Sequence, residues 1–321
     1  MKRIRWVDIA KGIGIILVTM GHTRISETPV NWWLTSFHMP LFYFLAGLCF
    51  DENRYPSYGQ YFKRKCVALG YPYAMLSIVV AALLSTLYFG DQFTVSGVWH
   101  GALRGNPFGP MWFISSLFAV ELIFGVIVRF VKSGRGRLLI SLMLAAIGWQ
   151  LSLERNAGIW MGWSLAPVTL FSVLFYNLGC VCKSVVSTVA ASRYVVPTMI
   201  GCFILQLGAM ALEPHGYVHI GMKFGPGPLW YVPLATLGTI FVCLLSMMID
   251  RFQRPALLLQ WFGRNSIILL ALHECCAHCG HTWGMGRWTY PLEYVFLGVT
   301  VYLIAGPFRF LISPDSIRKN K

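Results

Sequence analysis

The sequence predicts an all-α fold: a polytopic transmembrane helical bundle with both termini on the cytoplasmic side. Three observations carry this expectation. The 321 residues are 56% hydrophobic and 12% charged, with a mean hydropathy of +0.62, whereas a soluble domain is roughly a quarter charged. Apolar runs of about twenty residues recur along the chain, each long enough to cross a hydrocarbon core. The basic residues alternate by side as membrane topology demands. No stretch between the runs is long enough to build a separate core, so residues 1–321 read as one membrane-embedded domain.

Ten spans are expected, at approximately 7–24, 32–50, 66–89, 110–131, 137–153, 160–182, 194–212, 229–249, 265–283 and 291–312. With the N-terminus inside, Arg24, Arg104, Arg155, Lys223 and Arg287 face outward, and the other 21 of the 26 Lys and Arg face the cytoplasm. The net charge of +14 is then mostly topology. It argues against a nucleic-acid partner and leaves some surplus for an anionic ligand at the cytoplasmic face. Lys2, Arg3 and Arg5 followed by an apolar run resemble a signal peptide, but no small-residue cleavage site follows, and the run reads as an uncleaved first span. Cys49, Cys66, Cys202 and Cys243 lie inside apolar segments and read as small core residues rather than disulfide partners.

The first span, WVDIAKGIGIILVTMGH (Trp6 to His22), holds three ionisable groups that an anchor would not need: Asp8, Lys11 and His22. At about 100° per residue, Lys11 and His22 fall within roughly 20° of each other, with Asp8 about 60° or less from both. The rise from Lys11 to His22 is about 16 Å, roughly half of a hydrocarbon core. Ionisable groups inside a span usually face a bundle interior or a water-filled cavity. Lys11 could snorkel to the interface and Asp8 could be an ordinary first-turn acid, a reading as open for these two as a functional one. An imidazole at the depth of His22 needs partners and points to function.

Span two carries SFHMPLFYFLAGLCF (36–50), with His38 and Pro40 toward its outer end. The basic run Lys63-Arg64-Lys65 leads from a cytoplasmic loop into span three, as a positive-inside anchor would. The loop over about 90–109 ends at Trp112, which suits an interfacial belt. Span four carries Glu121 well inside the bilayer, where an acid is either a protonated packing residue or functional. The loop 213–228, rich in Gly, Pro and His, could line an entrance from outside. Gly263-Arg264-Asn265-Ser266 reads as the start of span nine, with Asn265 or Ser266 as cap. His273 and Glu274 lie inside that span, and Cys275, Cys276, His278, Cys279 and His281 follow. Cys275 with Cys279, and His278 with His281, share helical faces, but the spacing matches no familiar zinc pattern, and no metal is expected.

Taken together, these segments resemble the acyltransferase-3 family of integral membrane acyltransferases. The resemblance runs through Lys11, ten intervening residues and His22; FHMPLFYFLAG (37–47); the basic segment ending in Pro72-Tyr73; MWF (111–113); YNLGCVCK (176–183); and GRNSIILLALH (263–273). It implies an acyltransferase of the type that O-acetylates sugars on surface glycans, in a bacterial cytoplasmic membrane. Acetyl-CoA would be the donor, and a surface glycan or a lipid-linked sugar the acceptor. The family often has two arginines three apart before the Pro-Tyr pair. Here Lys65 and Ala68 occupy those positions, and lysine cannot reproduce an arginine fork. The roles implied are His22 as general base or transient acyl carrier, with Glu121, His273 or Glu274 at the catalytic centre. Lys11, Lys63, Arg64 and Lys65 would take the phosphates of CoA, and His38, Trp112, Asn265 and Ser266 would contact the acceptor. A proton-coupled transporter or a non-catalytic membrane partner would also account for the spans and buried acids. The basic cluster at one face and the lack of an inverted repeat argue against the transporter.

Overall fold

A computed structural model describes residues 4–22, 28–87, 100, 109–159, 162–212, 220, 227–282, 298–299 and 302–314. Among them the regular structure is helical throughout, as expected of an all-α polytopic chain. The helices are α1 (Arg5–Gly21), α2 (Pro29–Leu48), α3 (Tyr58–Lys65), α4 (Tyr71–Leu87), α5 (Trp112–Phe130), α6 (Gly134–Asn156), α7 (Ala166–Ala191), α8 (Val195–Leu212), α9 (Pro228–Ile249), α10 (Gln253–Arg264) and α11 (Ser266–Thr282). Six helical segments are long and apolar enough to cross a membrane, and a seventh if α10 and the start of α11 form one broken span. The expected first span is α1, at 17 residues slightly short of that test. The tenth expected span (291–312) is described over 298–299 and 302–312, where a short helical stretch gives way to turns and a 3-10 turn at Arg309–Leu311, and the loops at 90–109 and 213–228 lie largely outside the described residues.

Two boundaries differ from the sequence expectation. The basic run 63–65 is not a loop entering span three. It is the last turn of α3, which Ser57 starts by accepting the Gln60 N–H at 3.3 Å. A π turn over Cys66–Gly70 then joins α3 to α4. The second difference is α10, which occupies the stretch read as a cytoplasmic loop. Its buried positions Ala256, Gln260 and Gly263 recur at helical spacing, while Leu257, Leu258 and Trp261 are exposed. Gly263 and Arg264 therefore end a helix rather than begin one. Asn265 caps α10 at its C-terminal end, its side-chain amide donating to the Trp261 carbonyl at 2.9 Å. Ser266 starts the next helix.

The chain folds as two compact units. The first comprises residues 1–54, 126–161 and 166–266, and the second residues 55–125, 162–165 and 267–321. In the first unit two crossings bring helix backbones into contact. A Cβ on Gly47 of α2 would run into the Tyr176 carbonyl of α7, and one on Gly179 of α7 would run into the Phe44 carbonyl of α2. Gly12 of α1 and Gly263 of α10 are paired in the same way, against the carbonyls of Leu259 and Asp8. Small residues are what allow such an approach between helices in a membrane.

A buried amide ties three further elements together. Gln206 of α8 accepts from Trp33 Nε1 of α2 at 2.9 Å, and its own Nε2 lies 3.3 Å from both Ser36 Oγ and the Leu234 carbonyl of α9. Every polar atom of that side chain thus has a partner inside the core. Cys202 and Cys243 are buried free thiols, and Cys49 and Cys66 are half-buried free thiols, as read from the sequence.

Gly179→Ala is expected to lower stability by about 1–3 kcal/mol or more, because the methyl meets backbone that cannot rotate away. Thermal unfolding of the detergent-purified protein checks this, and an unchanged midpoint would contradict the crossing.

Candidate active site

In the first unit the polar groups of the expected stripe are carried on one continuous helix. Asp8 sits in the first turn of α1, 4% exposed. A carboxylate so buried needs an opposite charge, and Arg264 at the end of α10 supplies it, Nε to Asp8 Oδ2 at 3.6 Å. The helix N-terminus adds to the same end. Lys11, one turn on, is half-buried. Arg5 pairs with Asp250, the residue that ends α9, at 3.1 Å. His22 lies just past the last turn of α1, its backbone N–H bonded to the Thr19 carbonyl at 3.2 Å. Its side chain is exposed at the protein surface. The helix keeps Lys11 and His22 about 16 Å apart along its axis.

His38 is buried in α2 of the same unit. Its Nδ1 lies 2.6 Å from the Leu34 carbonyl, which can only accept, so the ring proton sits on Nδ1. Asn265 is half-buried and spends its amide on capping α10, and Ser266 is half-buried beside it.

In the second unit the sequence-predicted residues Lys65 and Glu121 come together. Tyr58, Tyr61 and Lys65 share one face of α3. Lys65 Nζ is 2.7 Å from Glu121 Oε1, and the Tyr61 hydroxyl donates to Glu121 Oε2 at 2.6 Å. The Tyr58 hydroxyl donates to the Leu122 carbonyl at 3.2 Å. Gly125, one turn beyond Glu121, leaves the space that the Tyr61 ring occupies; a Cβ there would be 2.6 Å from the ring. Lys65 also lies 5.3 Å from the centre of the Tyr61 ring. The glutamate, 5% exposed, is thus neutralised in place by lysine and tyrosine. Lys63 and Arg64 are exposed.

His273 and Glu274 also belong to the second unit, on α11. His273 is fully buried, and its Nδ1 lies 2.9 Å from the Leu270 carbonyl and 3.2 Å from that of Leu269. The proton is therefore on Nδ1, and Nε2 is the basic nitrogen. Trp112, half-buried, begins α5 with its ring edge-on to Phe113. The side chains of residues 275–282, and with them Cys275, Cys276, His278, Cys279 and His281, lie outside the described residues.

Sequence reasoning missed Tyr61, Arg264 and Gln260. The spacing of Tyr61 and Lys65, four apart on a helix, was legible once 58–65 was read as helix. The partner of Asp8 lies on α10, whose short amphipathic pattern does not register as a membrane span.

These helices define an integral membrane protein that carries histidines and paired charges on its membrane helices. Residues 4–309 match the family model described as an acyltransferase domain. The chain belongs to the acyltransferase-3 family and is an acyltransferase, which sets aside the transporter and the non-catalytic partner. No curated protein and no solved structure matches it.

Removing one member of the buried pair should expose its cost. Glu121→Ala leaves the Lys65 ammonium without its counter-ion and is expected to lower stability by about 3–5 kcal/mol. The double change Lys65→Met with Glu121→Leu should recover most of the loss. Chemical or thermal unfolding of all three proteins reads this. A double variant no more stable than Glu121→Ala would show that the pair is not the cause.

Proposed function

We propose that the protein moves an acetyl group from acetyl-CoA, supplied at the cytoplasmic face, to a hydroxyl of a cell-surface glycan or its lipid-linked precursor. The membrane would be a bacterial cytoplasmic membrane. The observation that carries this reading is α1 itself, within a family of acyltransferases: one unbroken helix with a half-buried lysine near its start and an exposed histidine at its end. An extended pantetheine arm is comparable in length to the roughly 16 Å between them. Lys11 would hold phosphate at one end and His22 would meet the thioester at the other. Within the second unit Lys63 and Arg64 are exposed cations open to an anion, whereas Lys65 is already paired with Glu121.

In the direct route the His22 imidazole takes the proton of the acceptor hydroxyl. The oxygen attacks the thioester carbonyl carbon, the C–S bond breaks, and the imidazolium returns the proton to the departing thiolate. In the carrier route an imidazole nitrogen attacks the same carbon, the C–S bond breaks and the thiolate leaves with the imidazole proton; the sugar oxygen then attacks the acetyl carbon, the C–N bond breaks, and the hydroxyl proton returns to the imidazole. Neutral imidazole, with a reference pKa of about 6.5, serves either.

His22→Ala is expected to lower acetyl transfer by about a hundred- to ten-thousand-fold while the protein stays folded. Mass spectrometry of surface glycans would compare a strain lacking the protein, the complemented strain and the His22→Ala strain. Loss of acetyl in the first and third supports the reading. Full acetylation by His22→Ala at normal protein level overturns the role of His22, and an unchanged profile in all three overturns the glycan acceptor.

A further inference from the structure

The crossing of α1 and α10 holds more than a packing contact. Gly263 lies on the Asp8 carbonyl and Gly12 on that of Leu259; Arg264 reaches Asp8 and Gln260 there, and Lys11 follows Asp8 by three residues on α1, the spacing of neighbours on one helix face. Arg264 is anchored twice, by Asp8 Oδ2 at Nε and by Gln260 Oε1, which accepts from Nη2 at 3.2 Å. Its side chain is nevertheless 50% exposed. A guanidinium carries five N–H donors in a fixed plane. One of them donates to Gln260, Nε meets Asp8 at ion-pair distance only, and the other three have no partner among the described residues. Gln260 is only 3% exposed, and its Nε2 likewise has no hydrogen-bond partner among the described residues.

The charges at this place do not balance. Arg5 is matched by Asp250, Lys65 by Glu121 and Arg137 by Glu52. At the crossing Asp8 is matched by Arg264. That leaves the half-buried Lys11 without a carboxylate partner among the described residues. One acid faces two cations. A merely structural arginine would neutralise Asp8 and stop there. Here an oriented fork, an unmatched ammonium and an unused buried amide donor occupy one crossing, and all three want an anion with several acceptor oxygens.

We propose that Arg264 binds a phosphate of the CoA-type donor alongside Lys11, with Asp8 and Gln260 as positioning residues that fix the plane of its guanidinium. This rests on the reading of a CoA thioester as donor.

The test uses the full-length protein in detergent or nanodiscs, with CoA, 3′,5′-ADP and acetyl-pantetheine as probes. Arg264→Gln is expected to weaken CoA and 3′,5′-ADP binding by about ten- to a hundredfold. Arg264→Lys should be intermediate, since the charge stays but the fork is lost. Neither change should alter the affinity for acetyl-pantetheine, which has no nucleotide phosphates. Gln260→Leu removes an anchor without leaving a buried charge, and it should weaken CoA by several-fold in the same phosphate-dependent way. Unchanged CoA affinity in Arg264→Gln, with the unaltered protein binding CoA, overturns the role of Arg264 and leaves the donor reading intact. Equal weakening of CoA and acetyl-pantetheine overturns it too, because the residue would then be structural. A folded, unaltered protein that binds none of the three probes overturns the donor reading itself.

Discussion

Close approach of helix backbones is the constraint on which the first unit depends. In lipid, helices gain little from burying apolar surface against one another, so association rests on packing, hydrogen bonds and the fit of small residues. Gly47 with Gly179, and Gly12 with Gly263, leave no side chain between the helices where they cross. The first pair holds α2 on α7. The second draws α10 onto α1, and only at that separation can an arginine on one helix reach an aspartate on the other. The glycines thus fix the electrostatics as well as the packing. Asp8 could not remain buried beside a helix that stood a side chain further away.

The paired charges differ in their burial. Arg5 with Asp250 and Arg137 with Glu52 each retain a well-exposed member, and such pairs contribute little net stability. Lys65 with Glu121 is largely withdrawn from solvent, which makes it costly to break and poorly suited to release its lysine to a ligand. Adjacent residues of one basic run therefore have different chemistry. Lys65 is part of the framework that seats α3 on α5 through Tyr61 and Gly125, while Lys63 and Arg64 remain open to anions.

The all-helical class was legible because it rests on composition and on the length of apolar runs, both of which are properties of the sequence alone. Most helix positions followed for the same reason, α9 and α8 to within a residue or two. The helix α10 was missed because its twelve residues are amphipathic rather than uniformly apolar, and a search for membrane spans looks past such a pattern. The error then carried over to Arg264 and Asn265, read as the beginning of a helix when they close one. At the site, the stripe on α1 was legible from angular spacing. The exposure of His22 was not, since the spacing of residues does not give it. The partnership of Lys65 with Glu121 joins positions 56 residues apart in sequence, and no local pattern could have disclosed it.

A rigid helix bearing both a cation and a histidine constrains the proposed reaction more than either residue does. Eleven residues of α-helix set the separation of Lys11 and His22 without any loop to adjust it. A donor held by its phosphates near the start of α1 would present its thioester within a narrow range of positions, and that is the kind of placement that turns binding into rate. Arg264, locked to α1 by Asp8 and to its own helix by Gln260, would share that fixed frame. By this argument the exposure of His22 favours catalysis. A buried imidazole would have to be uncovered before an acceptor could reach it, whereas the exposed imidazole of His22 would meet a polar acceptor without movement of the helix proposed to hold the donor.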